Sequence, residues 1–106
     1  MEKITLDFSN CKRWYEVYDE IITKCELPEW CGKNLDGLWD FMEDDFVLWN
    51  EPALITIIGT QKMSEEAKDT FMDINKMVFE HVHKAAPNVK FEIISQEKTN
   101  KKDVHF

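Results

Sequence analysis

The apolar segment ALITII, which spans Ala53–Ile58, limits the possible folds more than any other part of the sequence. Pro52 and Gly59 bound it on either side, so it is too short for a typical helix and indicates a strand. Near-continuous apolar runs of this length are typical of strands that are buried on both faces of a parallel sheet. Neighbouring parallel strands need long crossovers, usually helical, so strands and helices should alternate along the chain.

Patterns on either side of this run predict the other elements. Alternating apolar residues over Lys3–Phe8 predict a first strand, and Val89–Ile94 predicts a third. Ser9 or Asn10 is expected to cap a first helix, and Ser64 is expected to cap the longest one. The predicted buried stripes of these two helices are Trp14, Val17, Tyr18, Ile21, Ile22 and Cys25, and Ala67, Phe71, Ile74, Val78 and Val82.

With a second, short helix before the central strand, the predicted order is β-α-α-β-α-β. This is an α/β fold in which a three-stranded parallel sheet is packed with helices. A chain of 106 residues fits one domain, which we predict over 1–95. Residues 96–106 are polar and are expected to form a flexible C-terminal tail. The N-terminal MEKITLDF lacks the apolar stretch of a signal peptide, and no apolar run reaches membrane-spanning length.

The cysteines indicate a reducing compartment. Cys11, Cys25 and Cys31 are odd in number and form no CxxC pair. Such thiols suit a buried, reduced state better than disulfides or metal ligands. We therefore expect a cytoplasmic protein with no metal site and no cofactor.

Negative charge is concentrated in one quarter of the chain. Eight acidic residues and one base, Lys33, lie within 26–51, which gives this stretch a net charge of −7 out of −8 for the whole chain. Direct binding of nucleic acid is not expected, because phosphate recognition needs positive charge. The same stretch contains Trp30, Trp39 and Trp49, and carboxylates mixed with aromatic rings suit a basic protein partner. Charge alone leaves open a solvated face that only aids solubility.

The second helix is predicted to run from residue 34 to 42 or just beyond, with Asn34 as its cap. At about 100° per residue, one side of it should be buried. Asp36, Asp40 and Glu43 cluster on the opposite side, and Trp39 lies on the border. Asp36 and Asp40 are four residues apart, so they repel and oppose helix stability, which indicates function rather than structure. The predicted buried side consists of Leu35, Leu38, Phe41 and Met42.

The sequence LPEWCGKNLDGLWDFM, from Leu27 to Met42, resembles the signature of the barstar family. In that signature leucine-proline, an acid, an aromatic, a glycine, asparagine-leucine-aspartate and tryptophan-aspartate follow in this order. The order of predicted elements agrees with the family up to about Ile94. Barstar-like proteins are intracellular inhibitors of secreted ribonucleases, and related immunity proteins neutralise ribonuclease toxins. The resemblance implies a non-enzymatic cytoplasmic inhibitor or antitoxin, monomeric when free, whose partner is a basic ribonuclease or ribonuclease toxin.

In barstar-like proteins the second helix and the loop before it enter the catalytic groove of the nuclease. By this resemblance Asp40 makes the dominant contact, because its carboxylate can imitate a substrate phosphate toward arginines and a histidine. Asp36 would make a second polar contact one turn earlier. Trp39 and Trp30 would supply aromatic area around these contacts. Gly32 permits backbone angles that other residues resist, and Asn34 caps the helix. Glu43, on the same helix face, is the last implied partner-binding residue.

Two positions depart from the signature. Cys31 stands where an aromatic is common, and Lys33 adds a positive charge beside the acidic side of the helix. Either change could redirect specificity to a different nuclease. The family also takes an acidic contact from the last long helix, but that register falls near Glu80 and His81 and no residue is assigned there.

Other kinds of site are less well supported by the residues. Thiol catalysis by Cys31 with His81 or His83 would need an oxyanion loop and an orienting group, and neither is evident. His81 and His83 lie about 200° apart on a helix, too far to share a metal ion, so one should be at the edge of the core and the other solvated. The run Glu43–Asp45 lacks the oxygen spacing of a calcium loop and should be a solvated turn. A non-inhibitory acidic module that binds another basic protein stays the alternative function.

Overall fold

The sheet has four strands, of which three are parallel. The computed structural model describes residues 1–94 and the backbone of Asp103–His105. Strands β1 (Glu2–Asp7), β2 (Ala53–Ile58) and β3 (Val89–Ile94) lie side by side in that order and run parallel. β4 (Asp103–His105) pairs antiparallel with β3 at the edge of the sheet. The predicted three-stranded parallel sheet is confirmed, with one short strand added.

Two helices occupy the first crossover, between β1 and β2. α1 spans Trp14–Lys24 and α2 spans Leu35–Met42. The chain continues from α2 without a break into a π-helical turn, Glu43–Val47. Asn50, whose φ is 47°, then redirects the chain toward β2 in the left-handed conformation that asparagine tolerates.

The second crossover is one helical stretch over 65–85. α3 (Glu65–Ile74) passes into a π-helical turn (Asn75–Phe79) and then into α4 (Glu80–Ala85). A single 3₁₀ turn, Thr60–Lys62, precedes it. The predicted order β-α-α-β-α-β is therefore confirmed.

Ser64 caps α3 as predicted. Its hydroxyl oxygen accepts the N–H of Ala67 at 3.1 Å, and the hydroxyl donates to the carbonyl of Lys12. The second bond ties the start of α3 to the segment before α1. All members of the predicted stripe are buried: Ala67, Phe71, Ile74, Val78 and Val82.

The helices cover one face of the sheet. Ile4, Ile55 and Phe91 lie in register across the three parallel strands and are buried, whereas Lys3 and Lys90 on the opposite face are exposed. The prediction that β2 is buried on both faces is wrong. Its apolar run reflects the central position of β2 between two strands, not cover by helices from both sides. On the face of the sheet opposite the helices its side chains are half-buried: Leu54, Thr56 and Ile58.

The start of α1 differs from the prediction, because neither Ser9 nor Asn10 caps it. The backbone N–H and the hydroxyl of Ser9 both donate to the Asp7 carboxylate, at 3.0 and 2.7 Å, so the Ser9 side chain is already committed. Glu16 satisfies the helix start instead, since its carboxylate accepts the backbone N–H groups of residues 12 and 13, both at 2.8 Å.

Trp14 is the member of the predicted α1 stripe that the structure leaves at the surface. Its side chain is 42% exposed, because it stands in the first turn of α1, at the periphery of the helical layer. The ring contacts Tyr15 and Tyr18 edge-on, with centroids 5.7 and 6.0 Å away. The other members of the stripe are buried as predicted: Val17, Tyr18, Ile21, Ile22 and Cys25.

Gly59 sets the distance between the end of β2 and the segment after β1. Its φ is 79°, and a Cβ at this position would lie 2.6 Å from the backbone nitrogen of Ser9. Both the conformation and the close approach require glycine.

The predicted flexible tail, 96–106, lies outside the described residues except for Asp103–His105. Those three residues form β4, which the sequence analysis did not predict, because three mostly polar residues show too little alternation to indicate a strand. Over 1–94, no helix combines the length and apolarity that crossing a bilayer requires.

Candidate functional site

The loop before α2 packs tightly against the first turn of that helix. Asn34 is the cap, as predicted, and its Oδ1 accepts the N–H of Gly37 at 2.7 Å. A Cβ on Gly37 would lie 3.0 Å from the carbonyl oxygen of Gly32 and 3.1 Å from its Cα. Gly37 was not among the predicted site residues. The sequence does hint at its role, because glycine disfavours helix formation and a glycine inside a predicted helix indicates that another segment packs closely against the helix there.

The predicted role of Gly32 is wrong in one respect. Its φ is not positive, so the loop does not need glycine for its backbone angles. A Cβ there would instead lie 2.8 Å from Nδ2 of Asn34, so glycine leaves room for the capping side chain. The loop shape therefore depends on the trio Gly32, Asn34 and Gly37.

Asp36, Asp40 and Glu43 are all exposed, as the helical spacing predicts. We call these three carboxylates the acidic face. Among the described residues, none of the three forms a salt bridge or a hydrogen bond through its side chain. The predicted buried side is confirmed for Leu38 and Met42. The remaining two are half-buried and pack against the core: Leu35 and Phe41.

Two tryptophans lie on α2 and on the loop before it, together with the acidic face. Trp39 is half-buried, as its border position predicts, and its ring meets that of His81 edge-on with centroids 6.2 Å apart. Trp30, in the loop, is 75% exposed and is held edge-on against Phe41 at 5.1 Å. Both rings are therefore positioned by contacts while leaving apolar surface available to a partner.

The last helical stretch meets α2 at Trp39, the residue next to Asp40 in the sequence. A shallow groove beside Trp39 is lined by His81, Lys84 and Ala85. The contact to the partner that the family takes from this helix falls near Glu80 and His81 by sequence, and no residue was assigned to it. In the structure the ring of His81 lies against that of Trp39. The spacing of the buried Val78 and Val82 places residues 81 and 85 on the flank of this helix, but it does not indicate which helix they meet.

Lys33 pairs with a carboxylate of α1 and not with one of the acidic face. Its Nζ lies 2.8 Å from Oδ1 of Asp19 and 5.8 Å from the centroid of the Tyr15 ring, both on α1. The positive charge that departs from the family signature is thus compensated by a carboxylate of α1.

Cys31 is buried beneath the loop. Burial raises the pKa of its thiol, which disfavours the thiolate that a nucleophile needs. The thiol points toward the carbonyl oxygens of Gly32 and Gly37, at 3.7 and 3.8 Å. Cys31 therefore has the surroundings of a packing residue between the loop and α2.

The two helical histidines differ as predicted. His83 is half-buried, with Nδ1 2.8 Å from the carbonyl oxygen of Val89, and His81 is exposed. No group of three or more histidines, cysteines and acids within the described ranges is placed to hold a metal ion. The run Glu43–Asp45 is solvated, but it forms a π-helical turn that continues α2.

Comparison with known proteins identifies a family and a curated relative. The family model described as "Barstar (barnase inhibitor)" matches residues 1–96. A protein of Bacillus subtilis (strain 168) named "Putative ribonuclease inhibitor YrdF" is 29% identical, and the match covers 67% of this chain and 94% of that protein.

Proposed function

The chain belongs to the barstar family, and on this premise we propose that it inhibits a basic ribonuclease by blocking the active site with α2 and the loop before it. The observation that carries the proposal is the acidic face. Three exposed carboxylates without an ion-pair partner among the described residues stand on α2 and its π-helical continuation, and the exposed Trp30 and the half-buried Trp39 belong to the same loop and helix.

Asp40 is the proposed main contact. A carboxylate accepts two hydrogen bonds from a guanidinium in the same planar arrangement as a phosphate does. An active site that binds the phosphate of RNA with arginines and a histidine would therefore accept Asp40 in its place. Asp36 and Glu43 would meet further basic groups, and Trp39 and Trp30 would exclude water around these contacts.

The loop contributes by being ordered in advance. The cap of Asn34 and the close packing of Gly37 on Gly32 fix the start of α2 before a partner binds. Binding then costs less conformational entropy than it would from a flexible loop. The buried Cys31 packs between this loop and α2 and so stabilises the same arrangement.

The biological setting that we propose is the cytoplasm of a cell that must be protected from a ribonuclease. The three cysteines are free and buried, which suits a reducing compartment. In that setting the protein would act as an immunity protein or antitoxin without catalysis of its own, and the acidic stretch would disfavour direct RNA binding.

The test is titration of the protein against barnase, the enzyme in the family description, and against other basic microbial ribonucleases. RNA cleavage is followed with a fluorogenic substrate, and each inhibited enzyme is then tested for competition with a mononucleotide in its active site. We expect stoichiometric inhibition of at least one enzyme and displacement of the nucleotide. Binding that leaves the nucleotide in place would contradict the proposed mechanism. Failure to inhibit any enzyme would favour the alternative, an acidic module that binds another basic protein.

A further inference from the structure

A groove opens beside the acidic face, where α1, the start of α2 and α3 meet. Its volume is about 520 Å³. Trp14 and Tyr18 of α1 and Leu35 of α2 line it with apolar surface, and Asp36 and Asp73 add carboxylates. Asp36 also belongs to the acidic face, so the groove is continuous with the proposed interface.

The aromatic lining combines one accessible ring with one fixed ring. Trp14 is 42% exposed, and Tyr18 is buried and contacts it edge-on. Burial raises the pKa of Tyr18, and the negative charge of Asp73 adds to this effect, so the Asp73 carboxylate acts on this ring from α3. An exposed indole beside a carboxylate is a combination that favours a cation.

The groove has a net negative charge. Its lining includes one base, Lys33, whose charge is compensated by Asp19 at 2.8 Å. Asp36 and Asp73 form no salt bridge within 1–94. Two carboxylates therefore face the groove without a cation among residues 1–94 that pairs with them.

We propose that this groove is a second binding site, which takes an arginine side chain of the partner. The identity of that partner as a basic nuclease rests on the proposed function. A guanidinium can stack on the Trp14 indole and at the same time donate to Asp36 or Asp73, which a compact ammonium group does less well. The groove would then select nucleases that carry an arginine beside the active site, through residues of α1 and α3 that lie outside the family signature.

The probe is N-acetyl-arginine amide, with N-acetyl-citrulline amide as its uncharged counterpart at the same ionic strength. The readout is the NMR resonance of the Trp14 indole N–H, assigned by its loss in Trp14→Phe. We expect a shift that saturates with the arginine compound and is absent with the citrulline compound. Equal shifts with both compounds, or no shift with either, would overturn the proposal.

A pair of variants on α3 tests the carboxylate. Asp73→Asn should weaken binding of the arginine compound about threefold or more, within the range for an exposed charge partner. Asp69→Asn removes the same charge one turn earlier, outside the groove lining, and should leave binding unchanged. Equal effects of the two variants would contradict a specific site. Because the probe is not a nuclease, this result is independent of whether the proposed inhibition is observed.

Discussion

Asp36 and Asp40 stand one helical turn apart on the surface of α2, and no base among the described residues pairs with either. Like charges at this spacing cost a helix a few tenths of a kcal/mol. The described part of the free protein thus carries an unfavourable pair that a basic partner would compensate.

Asp40→Ala should leave the free energy of unfolding unchanged or raise it by a few tenths of a kcal/mol. The change removes the repulsion with Asp36 and introduces a better helix former, while no core contact is lost. Thermal melting monitored by circular dichroism checks this. A clear fall in the melting temperature would show that Asp40 has a structural role that its exposure does not indicate.

Cys31→Ser should preserve inhibition and lower stability. The thiol packs between the loop and α2, and a hydroxyl in this site would be buried near the carbonyl oxygens of Gly32 and Gly37. We expect a loss of about 1 kcal/mol in the free energy of unfolding, measured by urea denaturation. Loss of inhibition in the folded variant would mean that the thiol contributes directly to binding.

The exposure of single residues could be predicted from the sequence only where it depends on local helix geometry. Helical spacing predicted the exposure of Asp36, Asp40 and Glu43 because it depends on local geometry alone. It placed Trp14 in the core, since periodicity does not say where the covering layer ends. The contact of Trp39 with His81 could not be predicted, because it joins two helices far apart in the chain.

At the scale of the element, the start of each helix depends on what surrounds it. Asn34 and Ser64 were predictable caps because their side chains bond within their own first turns. Ser9 was not, since Asp7 binds its side chain, and the start of α1 depends on Glu16 from inside the helix. Predictions of caps therefore fail where a neighbouring strand offers a competing partner.

The π-helical turn after α2 contains Asp45, whose ionised carboxylate lowers the stability of the free protein. Burial, and then the charge of Asp44, raise the pKa of Asp45 above its ordinary value of 3.8. Ionised Asp45 is therefore destabilising at neutral pH, and the effect is lost as the pH falls through its folded pKa. Asp45 and the exposed Trp49 line the same surface pocket. Asp45 therefore adds a carboxylate, and Trp49 adds apolar area, to the surface that follows α2.

Asp45→Asn should raise the free energy of unfolding at pH 7 by less than about 1 kcal/mol, the scale of interactions among exposed charges. The difference from the unmodified protein should shrink as the pH is lowered and vanish below 3.8, where Asp45 is protonated in both states. Urea denaturation between pH 3 and pH 7 measures it, with Asp69→Asn as a control for the loss of one negative charge. A stabilisation that persists at the lowest pH would have a cause other than charge.

For the molecule as a whole, the alternation of strands and helices was enough to predict a three-stranded parallel sheet and the order of the elements along the chain. The short β4 and the half-burial of β2 on the face opposite the helices were not predictable, because both depend on tertiary packing rather than on local pattern. The concentration of negative charge in one quarter of the chain is also a property of the whole molecule. It produces a negative electrostatic potential that would attract a basic partner before the two proteins touch.

Association with an inhibited ribonuclease should be fast and should slow steeply with salt. Screening acts over about 8 Å at physiological ionic strength, so added salt weakens steering by the acidic stretch. We expect the association rate from stopped-flow fluorescence to fall about tenfold or more between low salt and 0.5 M salt. An association rate that is flat across the series would show that the charge separation does not guide binding.

The most direct measurement of the central claim is titration of an inhibited ribonuclease with the unmodified protein, Asp40→Ala and Asp69→Ala. The two variants lose the same charge from exposed positions on different helices, so a comparison of them separates a specific contact from a general effect of charge. Removing one partner of a buried charge pair costs about 2–5 kcal/mol or more, a range for which barnase and barstar are themselves an example. We predict a loss of this size for Asp40→Ala and almost none for Asp69→Ala. Binding of Asp40→Ala within about tenfold of the unmodified protein, a loss under ~1.4 kcal/mol, would contradict the account.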